Sequence, residues 1–326
     1  MGELRAAAVT EVHVIVPEGI DDPARSSGGN TYDRRVCDGL AALGWTVHEH
    51  AVGDLARALA GIPDGAVVLV DGLIAAPEAM VPEADRLRQV VLLHMPLGDQ
   101  REMLAATDAV VVTSAWTRRR LAELYGVAAH VAEPGVDAAE LAPGTAAGDA
   151  LLCVAAVTPG KGHDVLLDAL ATVDDLAWRC TCVGSLDRDP VFAGDVRRRA
   201  DRVRFTGSRT GPELGRAYAG ADLLVLPSRA ETYGMVVTEA LARGVPVIAA
   251  DVGGVSEALG HGGLLVPSED PAALGGALRR WLCEPELREG LRRAAQERRA
   301  SLRGWEETTA DVAGVLHDVA GMVAAR

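Results

Sequence analysis

Short apolar runs rich in β-forming residues alternate with segments of helical spacing along the whole chain. Because strands separated by helix-length segments pair in parallel, this alternation predicts stacked βαβ units and a doubly wound α/β fold. The runs in the first part are VHVIV (12–16), AVVLV (66–70), QVVLLH (89–94), AVVVT (109–113) and AAHVA (128–132). Those in the second part are LLCVAAV (151–157), WRCTCVG (178–184), RVRFTG (202–207), DLLVLPS (222–228), VPVIAA (245–250) and GLLVP (263–267).

A polar stretch rich in Gly, Pro and Ala, at 134–150, separates the two series of runs. A chain of 326 residues fits two domains of about 150 residues each. We therefore expect domains at 1–140 and 141–304, with a last helix at 305–326 that crosses back to the first domain. The predicted fold class is α/β, with two Rossmann-like doubly wound domains. Such sheets bind ligands beyond the carboxyl ends of their strands, so the substrate is expected in an interdomain cleft.

The composition argues against several kinds of partner. The chain is 49% apolar and has a formal net charge of −14, which indicates a soluble globular protein and disfavours nucleic acid or an anionic membrane. Glu11 and His13 interrupt the apolar N-terminus, and no run approaches the roughly 18 apolar residues of a membrane-spanning helix. The five cysteines show no metal-ligand spacing. We expect a cytoplasmic protein without an integral membrane segment, of unknown oligomeric state.

The stretch from Pro227 to Glu257 contains most of the candidate functional residues. Glu231 falls in the loop after a strand and Glu239 in the helix that follows, so both carboxylates lie at one edge of the sheet. They could accept hydrogen bonds from sugar hydroxyls, lie beside a developing positive charge, or be ordinary helix-terminal and solvated charges. The next helix is preceded by two glycines, whose amides could meet phosphate oxygens or simply form a tight turn.

These residues resemble the motifs of the retaining glycosyltransferases of family four. The E-x7-E element of that family matches Glu231 and Glu239, and its glycine pair followed by glutamate matches Gly253, Gly254 and Glu257. The resemblance covers nearly all of the chain and implies the two-domain GT-B fold. It implies that Glu231 lies beside the donor sugar, that Glu239 binds the ribose hydroxyls, and that the glycine pair approaches the donor.

A second element, VAAVTPGKGHDVLLDAL at 154–170, places Lys161 in a glycine-rich turn between a strand and a helix. A cation at this position could neutralise a leaving diphosphate, although a lone Lys is more often a surface residue. The turn is not a Walker A loop, because Gly162 stands where Ser or Thr should follow the lysine. In the family that the chain resembles, a strand is followed by Gly-Arg and then Lys-Gly. Lys161 and Gly162 match the end of this pattern, but Ala156 occupies the position of the arginine.

The first domain contributes the loop and helix SSGGNTYDRRVCDGLAALGW, 26–45, and the strand that ends at His94. The resemblance implies that Gly28 and Gly29 approach the donor phosphates, that Asn30 and Tyr32 face the acceptor, and that His94 lies near the donor sugar. Read alone, the glycine pair is an ordinary loop and His94 a structural residue.

Two further patterns are interpreted as structural. Asp187, Arg188 and Asp189 spell a DxD motif that binds metal in a different glycosyltransferase fold, but here it follows a strand of a doubly wound domain. No metal is expected. A basic cluster at 197–204 is typical of a solvated helix face, so nucleic acid is not an expected partner. Arg188 and Arg209 are candidates to replace the arginine missing at Ala156.

The predicted function is transfer of a sugar, with retention, from a nucleotide diphosphate sugar to a small acceptor, without metal or other cofactor. The alternatives are a weak or non-glycosidic relative that binds nucleotide sugars, and a nucleotide-sugar epimerase on the same fold. The predicted catalytic residues are His94, Lys161 and Glu231, and the acceptor-side residues are Asn30, Tyr32 and His94. The predicted donor-binding residues are Gly28, Gly29, Lys161, Gly162, Arg209, Glu231, Tyr233, Gly234, Met235, Glu239, Gly253 and Gly254.

Overall fold

The computed structural model describes residues 10–22, 27–96 and 98–321. Within these ranges the chain forms two compact units: unit 1 comprises 10–21, 27–96, 98–135 and 303–321, and unit 2 comprises 136–302, together with residue 22. The chain thus passes into unit 2 after Gly135 and back into unit 1 at Arg303. The sequence analysis places these crossings at 140 and 304. No helix in the described part of the chain has the length and apolar character needed to span a membrane.

Strands and helices alternate through both units. The elements before Val136 are β1 (Glu11–Pro17), α1 (Gly28–Ala42), β2 (Thr46–Val52), α2 (Leu55–Ala60), β3 (Val67–Asp71), α3 (Pro77–Met80), β4 (Arg88–Leu93), α4 (Arg101–Ala106), β5 (Ala109–Val112), α5 (Ala115–Tyr125) and β6 (His130–Val131). Those after it are β7 (Ala150–Val154), α6 (His163–Ala171), β8 (Arg179–Val183), α7 (Pro190–Arg198), β9 (Val203–Phe205), α8 (Gly211–Ala219), β10 (Leu223–Leu226), α9 (Met235–Leu241), β11 (Val247–Ala250), α10 (Val255–Leu259), β12 (Gly263–Val266), α11 (Pro271–Cys283), α12 (Pro285–Arg299) and α13 (Trp305–Gly321).

Each unit contains a parallel six-stranded sheet with helices around it. The order is β2-β1-β3-β4-β5-β6 in unit 1 and β12-β11-β10-β7-β8-β9 in unit 2. Every pairing in both sheets is parallel. The predicted α/β class with doubly wound units is therefore confirmed.

In unit 1, the helix α13 packs against α1 over one face of the sheet. Leu316 and Val319 are buried in the same apolar cluster as Tyr32 and Leu40. Gly39 permits the close approach of the two helices, because a Cβ atom there would lie 2.2 Å from Oγ1 of Thr309. The other face of the sheet packs Ile15 and its neighbours against α2 to α5.

In unit 2, side chains alternate between the two faces of the sheet. Leu151 and Cys153 point to one core, with α6 and α11. Leu152 points to the other, with α9 and α10. Because β7, β10 and β11 are adjacent and parallel, the segments that follow them meet at one edge of the sheet. This edge carries Lys161, Glu231 and the pair Gly253 and Gly254.

Candidate active site

The turn after β7 holds Lys161 beside the start of α6. A short 3-10 turn spans Pro159–Lys161, and Gly162 follows with a left-handed φ of 68°. A Cβ atom on Gly162 would lie 2.1 Å from the carbonyl oxygen of Pro227, the residue that follows β10. Gly162 is therefore required both by its backbone conformation and by the close packing of the neighbouring loop.

Lys161 forms an ion pair with Glu231. Its Nζ lies 2.6 Å from Oε1 of Glu231, and the two side chains are 29% and 12% exposed. The same oxygen accepts a hydrogen bond of 2.8 Å from Oγ of Ser228. The structure thus joins two of the three predicted catalytic residues, 70 positions apart in the chain. Ser228 was missed by the sequence analysis, although it lies in the same loop.

Lys161 is the only lysine in the chain, among 32 basic Lys and Arg residues. Everywhere else the positive charge is carried by arginine. An ammonium is a compact charge with three donors, whereas a guanidinium is a wide planar fork, so the two are not interchangeable at a crowded site. The use of the single lysine at this position therefore indicates that the turn requires a compact ammonium rather than a guanidinium.

The glycine pair after β11 fixes the backbone of the Glu231 loop. Gly253 has a left-handed φ of 57°, and a Cβ atom on it would lie 1.5 Å from the carbonyl oxygen of Glu231. The amide of Gly254 donates to that same oxygen at 3.2 Å. Of the two predicted alternatives, the Gly254 amide thus takes part in a tight turn. The glycine pair therefore positions the backbone of Glu231, because the amide of Gly254 is already hydrogen-bonded within the protein.

Glu239 lies on α9, with its carboxylate between Tyr218 and Arg243. The hydroxyl of Tyr218 donates to Oε2 of Glu239 at 2.6 Å, and Oε1 has no hydrogen-bond partner among the described residues. Burial raises the pKa of Glu239, and the Tyr218 hydrogen bond and the nearby Arg243 charge oppose this shift. One carboxylate oxygen therefore remains available to accept hydrogen bonds from a ligand.

The residues between Glu231 and Glu239 support the start of α9. The helix begins at Met235, and Gly234 is its N-cap with a left-handed φ of 94°. Tyr233 is 5% exposed and packs into the apolar core. Met235 lies at the border of the same cluster. The buried ring of Tyr233 is thus a core residue rather than an open donor-binding surface.

The arginine expected at Ala156 has no direct substitute in the Lys161 turn. Arg229 reaches the turn and donates to the carbonyl of Pro159, but it also pairs with Asp164 at 2.8 Å and with Glu269 at 2.9 Å. These two carboxylates neutralise its charge. Arg229 therefore links the Lys161 turn to the loop that follows β10.

Arg209 lies on another part of unit 2, in the loop after β9. It is exposed, donates to the carbonyl of Ser208, and lies 3.8 Å from Glu213. It borders an open groove of about 400 Å³ between α8 and strands β7 to β9, whose lining includes neither Lys161 nor Glu231. Arg188 is exposed in the loop before α7, where Asp189 caps the helix by accepting the amide of Phe192 at 3.0 Å. That Arg209 or Arg188 supplies the positive charge missing at Ala156 stays a prediction.

In unit 1, His94 directly follows β4 and packs beneath the first turn of α1. The helix begins at Gly28, with Ser27 as its N-cap. A Cβ atom on Gly29 would lie 3.2 Å from the His94 ring, so the ring packs closely against the backbone of Gly29. Nε2 of His94 lies 2.7 Å from Oδ1 of Asp33, a carboxylate that is 2% exposed. Asp33 was missed by the sequence analysis.

The structure corrects the acceptor-side assignment of Tyr32, whereas that of Asn30 stays a prediction. Tyr32 is fully buried, and its hydroxyl donates to the carbonyl of Ala132 at 2.9 Å. The side chain of Asn30 accepts from Ser27 at 2.8 Å and donates to the carbonyl of Ile20 at 3.1 Å. The buried Tyr32 hydroxyl is thus satisfied within unit 1 and does not face an acceptor.

Three groups of side chains in the described residues bring possible metal ligands together. These groups are Cys153 with His163 and Cys182, Glu11 with His13 and His48, and Asp33 with Asp71 and His94. The DxD motif is not among them. The absence of a metal from the reaction remains a prediction.

Comparison with solved structures defines the class of fold. The model superimposes on the Anabaena protein HepE, solved in complex with UDP-glucose, with a TM-score of 0.76 at 18% identity. The match covers 94% of this chain and 99% of that one. Together with the two doubly wound units, it shows that the chain has the GT-B fold.

The sequence comparisons identify the family. Residues 148–284 match the family model described as glycosyl transferases group 1. The D-inositol 3-phosphate glycosyltransferase of Jonesia denitrificans is 34% identical over 247 residues, 66% of this chain and 58% of that protein. The protein of the same name from Streptosporangium roseum is 31% identical over 303 residues, 82% of this chain and 68% of the relative. The chain therefore belongs to the group 1 glycosyltransferases, and the resemblance inferred from its motifs is confirmed.

The chain spans somewhat more than half the length of the first of these relatives, at 58%. Both relatives are named as transferases. These names agree with the predicted glycosyltransferase, and neither of them names a nucleotide-sugar epimerase or a non-glycosidic relative.

Proposed function

We propose that this protein transfers a glycosyl group from a nucleotide diphosphate sugar to a small acceptor, with retained anomeric configuration. The observation that carries the proposal is the Lys161–Glu231 ion pair, at the ends of the adjacent strands β7 and β10. The pair is partly exposed and is held by two glycines that accept no side chain, Gly162 and Gly253. A charge pair this closely positioned at the carboxyl edge of a parallel sheet is typical of a binding site.

Lys161 is suited to stabilise the leaving group. In the reaction, the bond from the anomeric carbon to the diphosphate oxygen breaks, and its electron pair stays on that oxygen. The acceptor oxygen forms the new bond, and its proton passes to the leaving diphosphate. Negative charge on the diphosphate therefore grows in the transition state, where a fixed ammonium is most effective.

Glu231 has a different electrostatic role in this proposal. Its carboxylate accepts from Ser228, and its backbone is fixed by the Gly253–Gly254 turn. We assign this carboxylate to the positive charge that develops on the sugar ring as the glycosidic bond breaks. Its pairing with Lys161 keeps both charges oriented before the substrate arrives. Binding of a diphosphate would draw Lys161 toward the phosphates and leave Glu231 with Ser228 as its donor.

Glu239 is assigned to the ribose of the donor. Its Oε1 can accept from a hydroxyl while Oε2 remains bound to Tyr218. In unit 1, we assign His94 and the Gly28–Gly29 turn to substrate binding. With Lys161 as the cation, the reaction requires no metal and no further cofactor.

The named relatives suggest which substrates to test first. HepE was solved with UDP-glucose, and the two sequence relatives are named for an inositol phosphate acceptor. A UDP-sugar donor and a phosphorylated cyclitol acceptor are therefore the first pair to try. Neither nucleic acid nor a membrane is a proposed partner of the reaction.

The test is a panel of UDP, GDP, ADP and dTDP and their sugars, measured by titration calorimetry and then by turnover with and without acceptor. We expect one nucleotide family to bind best, and donor consumption to require the acceptor. Conversion of the donor sugar without any acceptor would indicate an epimerase and contradict transfer. Failure of every nucleotide diphosphate to bind would contradict the assignment of the Lys161 turn.

A further inference from the structure

Three titratable side chains meet in unit 1 beside the substrate-binding face assigned to His94. Asp33 lies on α1, Asp71 ends β3, and His94 follows β4. One potential ligand or proton-carrying atom from each lies within 4.8 Å of the others. Asp33 and Asp71 are 2% and 4% exposed, whereas the His94 side chain is 18% exposed. Only the imidazole of this triad reaches the surface.

The hydrogen bonds within the triad are incomplete if both carboxyl groups are ionised. Oδ1 of Asp33 accepts from Nε2 of His94 at 2.7 Å, and Oδ1 of Asp71 accepts from the amide of Leu73 at 2.7 Å. Oδ2 of Asp33 is buried and has no donor. Apolar side chains such as Val16 and Leu92 line the space beside the two carboxyl groups, and this space has no room for a water molecule. The missing donor must therefore come from within the triad.

A proton on Asp71 supplies that donor. Two buried carboxylates in contact cannot both remain charged, so one of them keeps its proton into the neutral range. Burial and the neighbouring Asp33 raise the pKa of Asp71 to about 7. An O–H group on Asp71 can then donate to Oδ2 of Asp33, which leaves Asp33 as the single carboxylate facing His94.

The remaining negative charge acts on His94. Burial by itself lowers the pKa of this imidazole, but the charge and hydrogen bond of Asp33, with a smaller contribution from Asp71, outweigh it and raise the pKa. A protonated His94, an ionised Asp33 and a neutral Asp71 sum to zero charge. This is the arrangement that a buried cluster tolerates at the least cost.

We propose that Asp33 and Asp71 are positioning residues that share one proton and hold His94 as an imidazolium, with Nε2 directed inward and Nδ1 offered to an oxygen of the bound substrate. Nδ1 makes no hydrogen bond to any residue within the described ranges. The ligand class is an oxygen acceptor, such as a phosphate or a sugar hydroxyl. That last step depends on the proposed function, whereas the charge state of the triad does not.

The other charged and titratable groups around His94 do not change this assignment. The ring of Tyr32 lies 5.2 Å from the ring of His94, but its hydroxyl is bound to the carbonyl of Ala132. On the side of Tyr32 toward α13, Arg303 and Asp311 pair with each other at 2.7 Å. The carboxyl groups of Asp33 and Asp71 are thus the groups that set the charge of His94.

The test is an NMR titration of ligand-free protein labelled at its histidines, with the His94 signal assigned by its loss in His94→Gln. We expect its midpoint above the ordinary value of about 6.5, because the charge and hydrogen bond of Asp33 favour the imidazolium. Asp33→Asn should lower the midpoint below that of the wild type, because the imidazolium loses the carboxylate that accepts its Nε2 hydrogen bond. Asp71→Asn should lower it less, since its amide still donates to Oδ2 of Asp33. Asp38→Asn, at an exposed acid on the same helix, should leave it unchanged.

Several results would overturn the proposal. A wild-type midpoint at or below 6.5 would do so even if Asp33→Asn fails to fold. The proposal would also be overturned if Asp71→Asn lowered the His94 midpoint as much as Asp33→Asn does. A His94 signal that shifts on addition of MgCl2 or ZnCl2 at constant pH would indicate a cation site instead of a shared proton. A donor affinity that stays constant across the pH range in which His94 titrates would contradict the substrate role of Nδ1. It would not contradict the charge state proposed for the triad.

Discussion

Nζ of Lys161 and Oε1 of Glu231 lie 2.6 Å apart, although the two residues are 70 positions apart in the chain. The pair links the loops that follow β7 and β10. A partly exposed ion pair contributes little to stability, usually up to about 1 kcal/mol. Its value is therefore to hold two opposite charges in fixed positions at a binding edge.

The absence of an arginine at Ala156 predicts a deficit of positive charge. Ala156 is partly buried and directly precedes the Lys161 turn, where its carbonyl accepts from the amide of Thr158 at 2.9 Å. We expect Ala156→Arg to tighten nucleotide diphosphate binding or raise turnover by about tenfold, a gain of about 1.4 kcal/mol. Binding by titration calorimetry and initial rates check this. Suppose instead that Ala156→Arg changes neither binding nor rate, while Arg209→Ala or Arg188→Ala strongly lowers one of them. The positive charge at the diphosphate would then come from another loop.

Gly253→Ala is expected to displace Glu231. The added methyl group would overlap the Glu231 carbonyl, and the left-handed φ of 57° disfavours alanine. We expect a large loss of turnover and a drop in melting temperature. Gly276→Ala is the matched control, because it lies on α11 with open space around its Cβ position. There alanine should leave activity unchanged. Equal behaviour of the two variants would remove the positioning role of Gly253.

Glu239→Ala is expected to weaken donor binding at least tenfold. A carboxylate that accepts ribose hydroxyls makes charge-assisted bonds of about 1.5 to 3 kcal/mol each. Because burial raises the pKa of Glu239, donor affinity should fall as the pH is lowered and the carboxylate is protonated. Tyr218→Phe removes a hydrogen bond that favours the charged form, so this fall should begin at higher pH. Glu286→Ala, an exposed acid on α12, is the control for titration calorimetry. Unchanged affinity in Glu239→Ala would refute the ribose assignment.

Asp71 should make the protein less stable as the pH rises. Its pKa is about 7 in the folded chain and 3.8 as an ordinary value, so the folded state binds more protons between these limits. Under linkage, the free energy of unfolding then falls as pH increases through this window. Relative to that of Asp71→Asn, the free energy of unfolding of the wild type should fall by on the order of 3 kcal/mol between pH 4 and pH 7. Urea unfolding at several pH values measures this difference. A constant difference would mean that Asp71 is ionised in the folded state.

The strands were largely predictable because buried parallel strands are continuous apolar runs. Each of the eleven runs in the sequence corresponds to a strand of the structure. The strand that the sequence analysis missed among the described residues is β2, which lies at the edge of its sheet. It includes His48, Glu49 and His50, and these polar residues are tolerated at an edge because part of the strand remains exposed.

The site was only partly predictable, because a motif gives the loop of a residue but not the direction of its side chain. Lys161 and Glu231 were both identified, yet nothing in the sequence predicts that they form an ion pair. Tyr32 and Tyr233 lie in the expected segments, but burial of their large rings places them in the core. Asp71 could have been found by the rule used for His94, since both are polar residues at the ends of neighbouring strands.

The central claim is that Lys161 stabilises the leaving diphosphate during glycosyl transfer. The most direct measurement is the initial rate of acceptor glycosylation with the best donor of the panel, for wild type, Lys161→Ala, Lys161→Arg and Arg179→Ala. Arg179 is the control, as an exposed cation of unit 2 paired with Asp149 at 2.8 Å. We predict a loss of about a hundredfold in Lys161→Ala, on the order of 3 kcal/mol, with partial recovery in Lys161→Arg and no loss in Arg179→Ala. Wild-type rates in Lys161→Ala would contradict the account.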